Sequence, residues 1–351
     1  MSLGIGMIGS GGMARVHAQA IADVARGSAR LVAVGGGTRA PKLAADFGAS
    51  VEASVEEVLG RSDIDAVVIA TPHTTHLRLV TDAAAAGKHV FLEKPMGLDV
   101  AECDAMIATC RDAGVRLMVA HITRFLPATV VARRIIEDGG IGSLRMISVH
   151  RILDGYPNEG WTLDPREGSA WLDWGSHGCD VIRWFGGSDP LRAFAQFTTY
   201  RRTPPANLSG MVQFAFPDDL MSQVWMSYEV PADSWIQRAR YVFSGSQGLL
   251  DLNAYGRVTV ERGTVRHEVY TQPDVEASSR AGVRPNAYFR EGFATQIGEF
   301  VAAVVEGREP SVSGWDARMA IAMVQAAEQS AASGEAVRLP FVAAGAVRAR
   351  P

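Results

Sequence analysis

Five short apolar runs, LGIGMIG, LVAVGG, DAVVIA, HVFLE and RLMVA, punctuate the first third of the chain, and stretches with helical periodicity separate them at 13–26, 41–47, 75–86 and 99–113. No other feature constrains the fold as tightly. A strand that is apolar on both faces has to be covered on both faces. Strands that recur after each helix join in parallel, because the crossover needs about a helix's length of chain and takes one hand. Residues 1–122 therefore read as one α/β unit, a doubly wound parallel sheet.

After His121 the pattern changes. SLRMISVHR, LRAFAQFTTY, LSGMVQFAF, LMSQVWMSYEV, RARYVFSG, GLLDLNA, GRVTVERG and TVRHEVYT follow one another across short breaks. Their alternation predicts a large, open, mostly antiparallel sheet with one buried face. Helices are expected at about 168–186, 289–306 and 315–333. A chain of 351 residues exceeds one ordinary core, so 123–351 is expected to form a second, α+β domain.

Composition excludes several classes of partner. A formal net charge of −4 with both signs interspersed offers no field to gather nucleic acid or anionic lipid. The amino-terminal stretch breaks on glycines before reaching membrane length and lacks a basic leader, so it reads as a first strand. The three cysteines do not form a disulfide framework, and Cys103 and Cys110 read as buried thiols. A cytoplasmic location is the expectation.

Gly9, Gly11 and Ala14 form G-x-G-x-x-A between the first strand and the first helix. The first glycine makes the turn, the second admits a pyrophosphate, and the small third residue lets helix pack on sheet. With Ser10, Gly12 and Met13 they form the candidate phosphate loop of a nicotinamide dinucleotide site, its phosphates meeting the N–H groups at the helix start. An NAD site usually ends its second strand on a carboxylate that holds the ribose hydroxyls. Here that strand ends on Gly35, Gly36 and Gly37, followed by Thr38 and Arg39, with Lys42 one turn on. A guanidinium there pairs with a 2′-phosphate, so NADP(H) is expected ahead of NAD(H). Thr71, Pro72, His73 and His76, in ATPHTTH after the fourth strand, are expected to line the crevice. The two histidines have no third ligand nearby in sequence, so no metal site is expected.

Only three lysines occur, Lys42, Lys88 and Lys94. Glu93 and Lys94 end the fifth strand in HVFLEKP, where a nicotinamide ring is expected. The Lys94 ammonium suits a reacting hydroxyl or carbonyl oxygen on which negative charge develops. In WLDWGSHGCDVIRWF, Asp173, His177 and Asp180 share a face wherever the segment is helical. An imidazole exchanges protons near neutrality, which makes His177 the candidate acid/base. Asp173 would orient it or bind a second hydroxyl, and Asp180 would cap or pair.

These residues resemble the glucose–fructose oxidoreductase, inositol dehydrogenase and rhizopine-catabolism family, Gfo/Idh/MocA. The resemblance rests on GSGGMA with His17, ATPHTTH, GKHVFLEKP, D-W-G-S-H-x-x-D, SGSQG and FATQIGEFVAAVVEGREP, and it spans nearly the whole chain. It implies a Rossmann domain and an α/β domain whose open sheet makes homodimers or homotetramers. It also implies that Lys94, Asp173 and His177 act together on a sugar or polyol. The chain departs from the pattern at the missing second-strand carboxylate and at HITRF, where many relatives carry an asparagine two before the arginine. Candidate substrate contacts are Tyr156 and Asn158 first, then Trp161, Arg124 and Tyr288. The expected reaction is reversible oxidation of a secondary alcohol of a sugar, inositol or related polyol. The rivals are a glycoside-cleaving or epimerising enzyme on tightly held cofactor and a dinucleotide-binding sensor.

Overall fold

The computed structural model describes residues 2–24, 27–156, 160–200, 206–231, 237–273, 275 and 286–339. Six parallel strands, β1 (Leu3–Ile8), β2 (Ala29–Gly35), β3 (Ser50–Glu52), β4 (Ala66–Ile69), β5 (His89–Leu92) and β6 (Leu117–Val119), form the first sheet in the order β3-β2-β1-β4-β5-β6. Every residue of β1 and β4 is buried, which is why those runs read as unbroken apolar segments. Helices α1 (Gly12–Asp23), α2 (Ala40–Phe47), α3 (Val55–Gly60), α4 (His76–Ala85) and α5 (Val100–Asp112) connect and cover the strands. Strand order reverses between β1 and β4, and the loops at their carboxyl ends border the crevice where such sheets bind ligands. The apolar runs did not reveal β3 or α3. The three residues of β3 lie on an edge and are not buried, too short a span to show a period. For α3 a signal existed: Ser54 accepts from Glu57 N as its cap.

Nine strands make the second sheet: β7 (Leu144–Ile152), β8 (Arg192–Thr198), β9 (Ser209–Ala215), β10 (Met221–Ser227), β11 (Gln237–Gly245), β12 (Leu249–Asn253), β13 (Arg257–Arg262), β14 (Val265–Thr271) and β15 (Val337–Arg338). Their order is β14-β13-β12-β11-β7-β10-β9-β8-β15. Only the central β7–β10 pair is parallel. β8 and β10 alternate exposed and buried residues, so one face is core and the other open.

Helices α6 (Pro127–Glu137), α7 (Ser176–Gly186), α8 (Ala287–Glu306) and α9 (Gly314–Ser333) complete the described elements. α6 was not anticipated, although Pro127 at its first turn is a common helix start. The helix expected from 168 is instead a π-helical turn, Trp171–Gly175, that runs into α7. α9 packs on β8 and α7, while α8 returns to α1. Val119 N donates to Val312 O at 3.2 Å, so the chain between those two helices also docks at the first sheet. Residues 127–339 thus supply both the second sheet and part of the first sheet's cover.

Candidate active site

The turn after β1 is shaped by what surrounds Gly9. Its φ is +109°, and a Cβ there would stand 2.3 Å from the Ala70 carbonyl oxygen, so no other residue lets β1 and β4 end so close together. Gly11 caps α1 without a side-chain bond, leaving the first N–H groups of the helix without side-chain acceptors. A Cβ on Gly12 would meet nothing within 4 Å, and one on Gly11 would meet only the Arg39 Nη2, at 3.7 Å. The loop is therefore a cradle with open space over it, backed by helix N–H groups and overlooked by a guanidinium. Those are the properties a dinucleotide pyrophosphate requires, and Ser10, Gly11, Gly12 and Met13 are the residues that would hold it. Thr38 and Arg39 are exposed beside it. Lys42 instead lies along α2 in an i,i+4 pair with Asp46 at 3.2 Å.

Across the crevice, Thr71 bonds Thr75 through their hydroxyls at 2.7 Å, and Pro72 is exposed. His76 is wholly buried. Its ring nitrogens face the carbonyls of Thr71 at 3.1 Å and Pro95 at 3.0 Å. Burial lowers its pKa to about 4, so the ring is neutral. His76 thus joins the loop after β4 to the loop after β5 and does not itself reach a ligand. Glu93 also turns inward: it accepts from His17 Nε2 at 2.6 Å and from Lys94 N at 3.0 Å. Burial raises its pKa, but the His17 bond and the charges and N–H of His17 and Lys94 together outweigh that and the net shift is downward, keeping the carboxylate ionised. His17 and Glu93 tie α1 to the turn that carries Lys94, whose peptide bond to Pro95 is cis.

Lys94 and Asp173, 79 residues apart, meet in an ion pair. The Lys94 ammonium donates to an Asp173 carboxylate oxygen and, at 3.3 Å, to the Asp173 main-chain oxygen. One of its three N–H groups is left for another acceptor. The second carboxylate oxygen of Asp173 accepts from the Tyr156 hydroxyl at 2.8 Å. Burial alone would raise the Asp173 pKa, but the Lys94 charge, nearby His73 and the hydrogen bonds from Lys94 and Tyr156 together outweigh it and hold the carboxyl far below the usual carboxylate range. Burial and then Asp173 push the Tyr156 phenol upward, so it stays protonated. Asp173 therefore fixes Lys94 and Tyr156, and it makes no hydrogen bond to His177.

The π-helical turn presents these groups. Trp171 is fully buried and anchors the turn through its indole N–H to Val324 O of α9 at 3.2 Å. A Cβ on Gly175 would stand 2.6 Å from that indole, the physical reason for glycine between Asp173 and His177. One turn on, His177 Nδ1 is buried without a partner among the described residues, which leaves Nε2 as the nitrogen that can face a ligand. Burial, then the Lys94 charge and His121, hold the His177 pKa well below the ordinary histidine value, so the ring is a neutral proton acceptor. The His121 ring stands 5.8 Å away, edge to face.

Two expected contacts lie elsewhere. Arg124 is buried and paired with Asp180, and it also donates to Ser311 O at 3.2 Å; both charges are consumed in structure, which settles Asp180 as a pairing group. The Tyr288 hydroxyl donates to Ala254 O at 2.6 Å inside the core. His73, by contrast, stays beside the Lys94–Asp173 pair, and its Nδ1 donates to Glu167 O at 2.9 Å. Asn158 and the Trp161 side chain fall outside the described residues. Sequence reading missed Glu167, whose carboxylate accepts from Thr74 Oγ1 at 2.6 Å and Thr74 N at 3.1 Å, clasping the crevice loop six residues before Asp173. Nothing local in DPREG marks that role. Among the described residues no cluster of three His, Cys, Asp or Glu could hold a metal ion, and no helix is long and apolar enough to cross a membrane.

Known proteins are similar to this chain. A family model for GFO/IDH/MocA proteins, described as an oxidoreductase family with an NAD-binding Rossmann fold, matches residues 3–121, and its C-terminal domain model matches 129–251. Inositol 2-dehydrogenase of Rhizobium meliloti (strain 1021) is 30% identical over 342 residues, 95% of this chain and 98% of that protein. 1,5-Anhydro-D-fructose reductase of Ensifer adhaerens is 27% identical, over 82% of this chain and 83% of its own. Aldose-aldose oxidoreductase from Caulobacter crescentus, solved with glycerol, superposes with a TM-score of 0.83 at 25% identity, over 97% of this chain and 100% of that one.

Proposed function

The chain belongs to the GFO/IDH/MocA oxidoreductase family, and from that premise we propose that Lys94, Asp173 and His177 carry out the reversible oxidation of a secondary alcohol on a sugar, inositol or related polyol. The carrying observation is the ion pair that brings Lys94, at the end of β5, against Asp173, in the turn leading to His177. When bound, the nicotinamide supplies the hydride acceptor or donor. In the oxidative direction His177 Nε2 takes the hydroxyl proton. The free N–H of Lys94 holds the oxygen while charge develops on it. Asp173, steadied by Tyr156, fixes where that ammonium points. The relatives named for inositol and for an anhydro sugar support a polyhydroxylated substrate.

NADP(H) is the proposed preference, with NAD(H) as second cofactor. It is supported by Arg39, which overlooks Gly11 and has no ion-pair partner among the described residues, and by a second strand that ends without a carboxylate. Lys42, held by Asp46, is left out of that contact. Residues 1–122 are assigned to the cofactor and 123–351 to the substrate and to subunit contacts. Met146, Phe194, Met211, Met221 and Trp225 are all exposed on the open face of the nine-stranded sheet. An apolar patch of that kind supports a homodimer or homotetramer joined there.

The test is a screen of sugars, inositols and cyclic hydroxy acids with NADP⁺ and NAD⁺, followed through the absorbance of the reduced nicotinamide. Turnover with at least one polyol is expected, and Arg39→Ala should shift the NADP⁺:NAD⁺ ratio of kcat/KM toward NAD⁺ by about 10-fold or more. Binding of reduced cofactor without net turnover of any polyol would refute the reaction, and equal use of both cofactors would refute the preference.

A further inference from the structure

Arg151 is a charged residue at an inward position of the central strand. On β7, Ile147 and Val149 are buried and side chains alternate, so Arg151 shares their face. There the guanidinium lies 5.3 Å from the centre of the Trp174 ring and 5.4 Å from that of Tyr228. Trp174 immediately follows Asp173. Tyr228 meets Tyr156 edge to face at 4.9 Å, and Tyr156 donates to Asp173. Arg151 is therefore stacked between two residues that adjoin the Lys94–Asp173 pair.

No carboxylate of a described residue neutralises it. Nε donates to the Tyr228 hydroxyl at 3.3 Å and Nη1 to the Arg238 carbonyl at 2.5 Å, and Tyr255 stands close by. All are neutral acceptors. The guanidinium also donates to the Tyr255 side chain. Arg151 is nonetheless half-buried, not sealed in, so part of the side chain stays open to a ligand. Lys94 and Asp173 cancel each other and His177 is neutral, so Arg151 adds a positive charge that the catalytic groups do not balance. Taking a cation out of water is costly unless an anion meets it. Arg124, by contrast, has its carboxylate in Asp180.

We propose that the substrate carries an acid group, a carboxylate on a sugar or cyclic polyol, and that Arg151 receives it. The proposal rests on the polyol-oxidising reading above. Trp174, Tyr228 and the Arg238 carbonyl hold the guanidinium in place, and a carboxylate is the partner that arginine selects best. The acid group and the reacting hydroxyl would then be held at two points, one by Arg151 and the other by Lys94.

The test compares matched pairs with the full chain: D-glucuronate against D-glucose, D-galacturonate against D-galactose, and quinate against myo-inositol. In the pairs that turn over, kcat/KM is expected to favour the acid by about 10²-fold, the size of one charge-assisted bond. Arg151→Met should bring the ratio close to unity, and Arg151→Lys should leave an intermediate one. Neutral members used as well as the acids, or an acid preference unchanged in Arg151→Met, would overturn the proposal. If Arg151→Met does not fold, the wild-type ratio and Arg151→Lys decide. If no compound turns over, the polyol-oxidising reading fails, and the acids' ability to raise the unfolding temperature of the protein with reduced cofactor still decides the role of Arg151. Stabilisation by acids alone, lost in Arg151→Met or weakened in Arg151→Lys, upholds it; equal or no stabilisation by either class, or acid stabilisation unchanged in both variants, sinks it.

Discussion

Replacing Lys94 with methionine separates the two tasks given to that ammonium, pairing with Asp173 and holding the reacting oxygen. The two side chains are 19% and 20% exposed. Opposite charges about 4 Å apart at an effective dielectric of about 20 attract by about 4 kcal/mol, against which the desolvation of both groups must be set. Removing one partner of a fully buried pair costs about 3–5 kcal/mol, because the other charge is stranded. With a fifth of each side chain still wetted, about 2–3 kcal/mol is expected for Lys94→Met. Adding Asp173→Asn removes the stranded charge, so the double variant should recover much of that loss. Activity should not recover: losing a donor to a developing oxyanion lowers kcat by about 10²–10³-fold. Urea unfolding, binding of reduced cofactor by fluorescence, and turnover on the same preparations read the three quantities separately. Wild-type kcat in Lys94→Met would refute the catalytic role, and equal stability of the single and double variants would refute the electrostatic reasoning.

His177→Asn should lower kcat by about 10²–10⁴-fold. In the wild type the oxidation rate should stay level through neutrality and fall only on the acid side of 6.5, because burial keeps the ring neutral; a limb centred at or above 6.5 speaks against His177 as base. His76 has a pKa of about 4 in the fold against 6.5 as the ordinary value. The unfolded chain therefore binds the extra proton first, and stability drains away as pH falls from about 6.5 to about 4. The contribution is roughly 3 kcal/mol, and His76→Asn should flatten that part of the curve of urea midpoint against pH; an unchanged slope would remove the assignment. Glu167→Ala removes two bonds to Thr74. It should cost about 2–3 kcal/mol in unfolding free energy and raise the cofactor KM; wild-type values in both would show that the clasp does not shape the crevice.

Much of the fold was legible because its signals are local. An apolar run, its length and the glycine that ends it lie within a few residues of each other, so β1, β2, β4, β5, β6 and β7 to β14 could be read in order, while the two-residue β15 could not. β3 and the π-helical turn at Trp171 escaped, one too short to show a period and the other dependent on an indole pressed against Gly175. The site was legible where a residue type was scarce or its spacing unusual, as with Lys94 among three lysines and the spacing of Asp173 and His177.

Partner choice was not legible, since it depends on which side chains arrive together from distant segments. Arg124 and Arg151 are chemically identical in the sequence, yet only the folded chain gives one of them Asp180 and stacks the other between Trp174 and Tyr228. His76 and Glu93 carry functional groups suited to a ligand, but tertiary packing turns both inward as struts. Periodicity and turn chemistry act over a few residues and are written in the chain. The charge balance of a pocket is a sum over groups up to 79 positions apart, and convergence in space is what sets it.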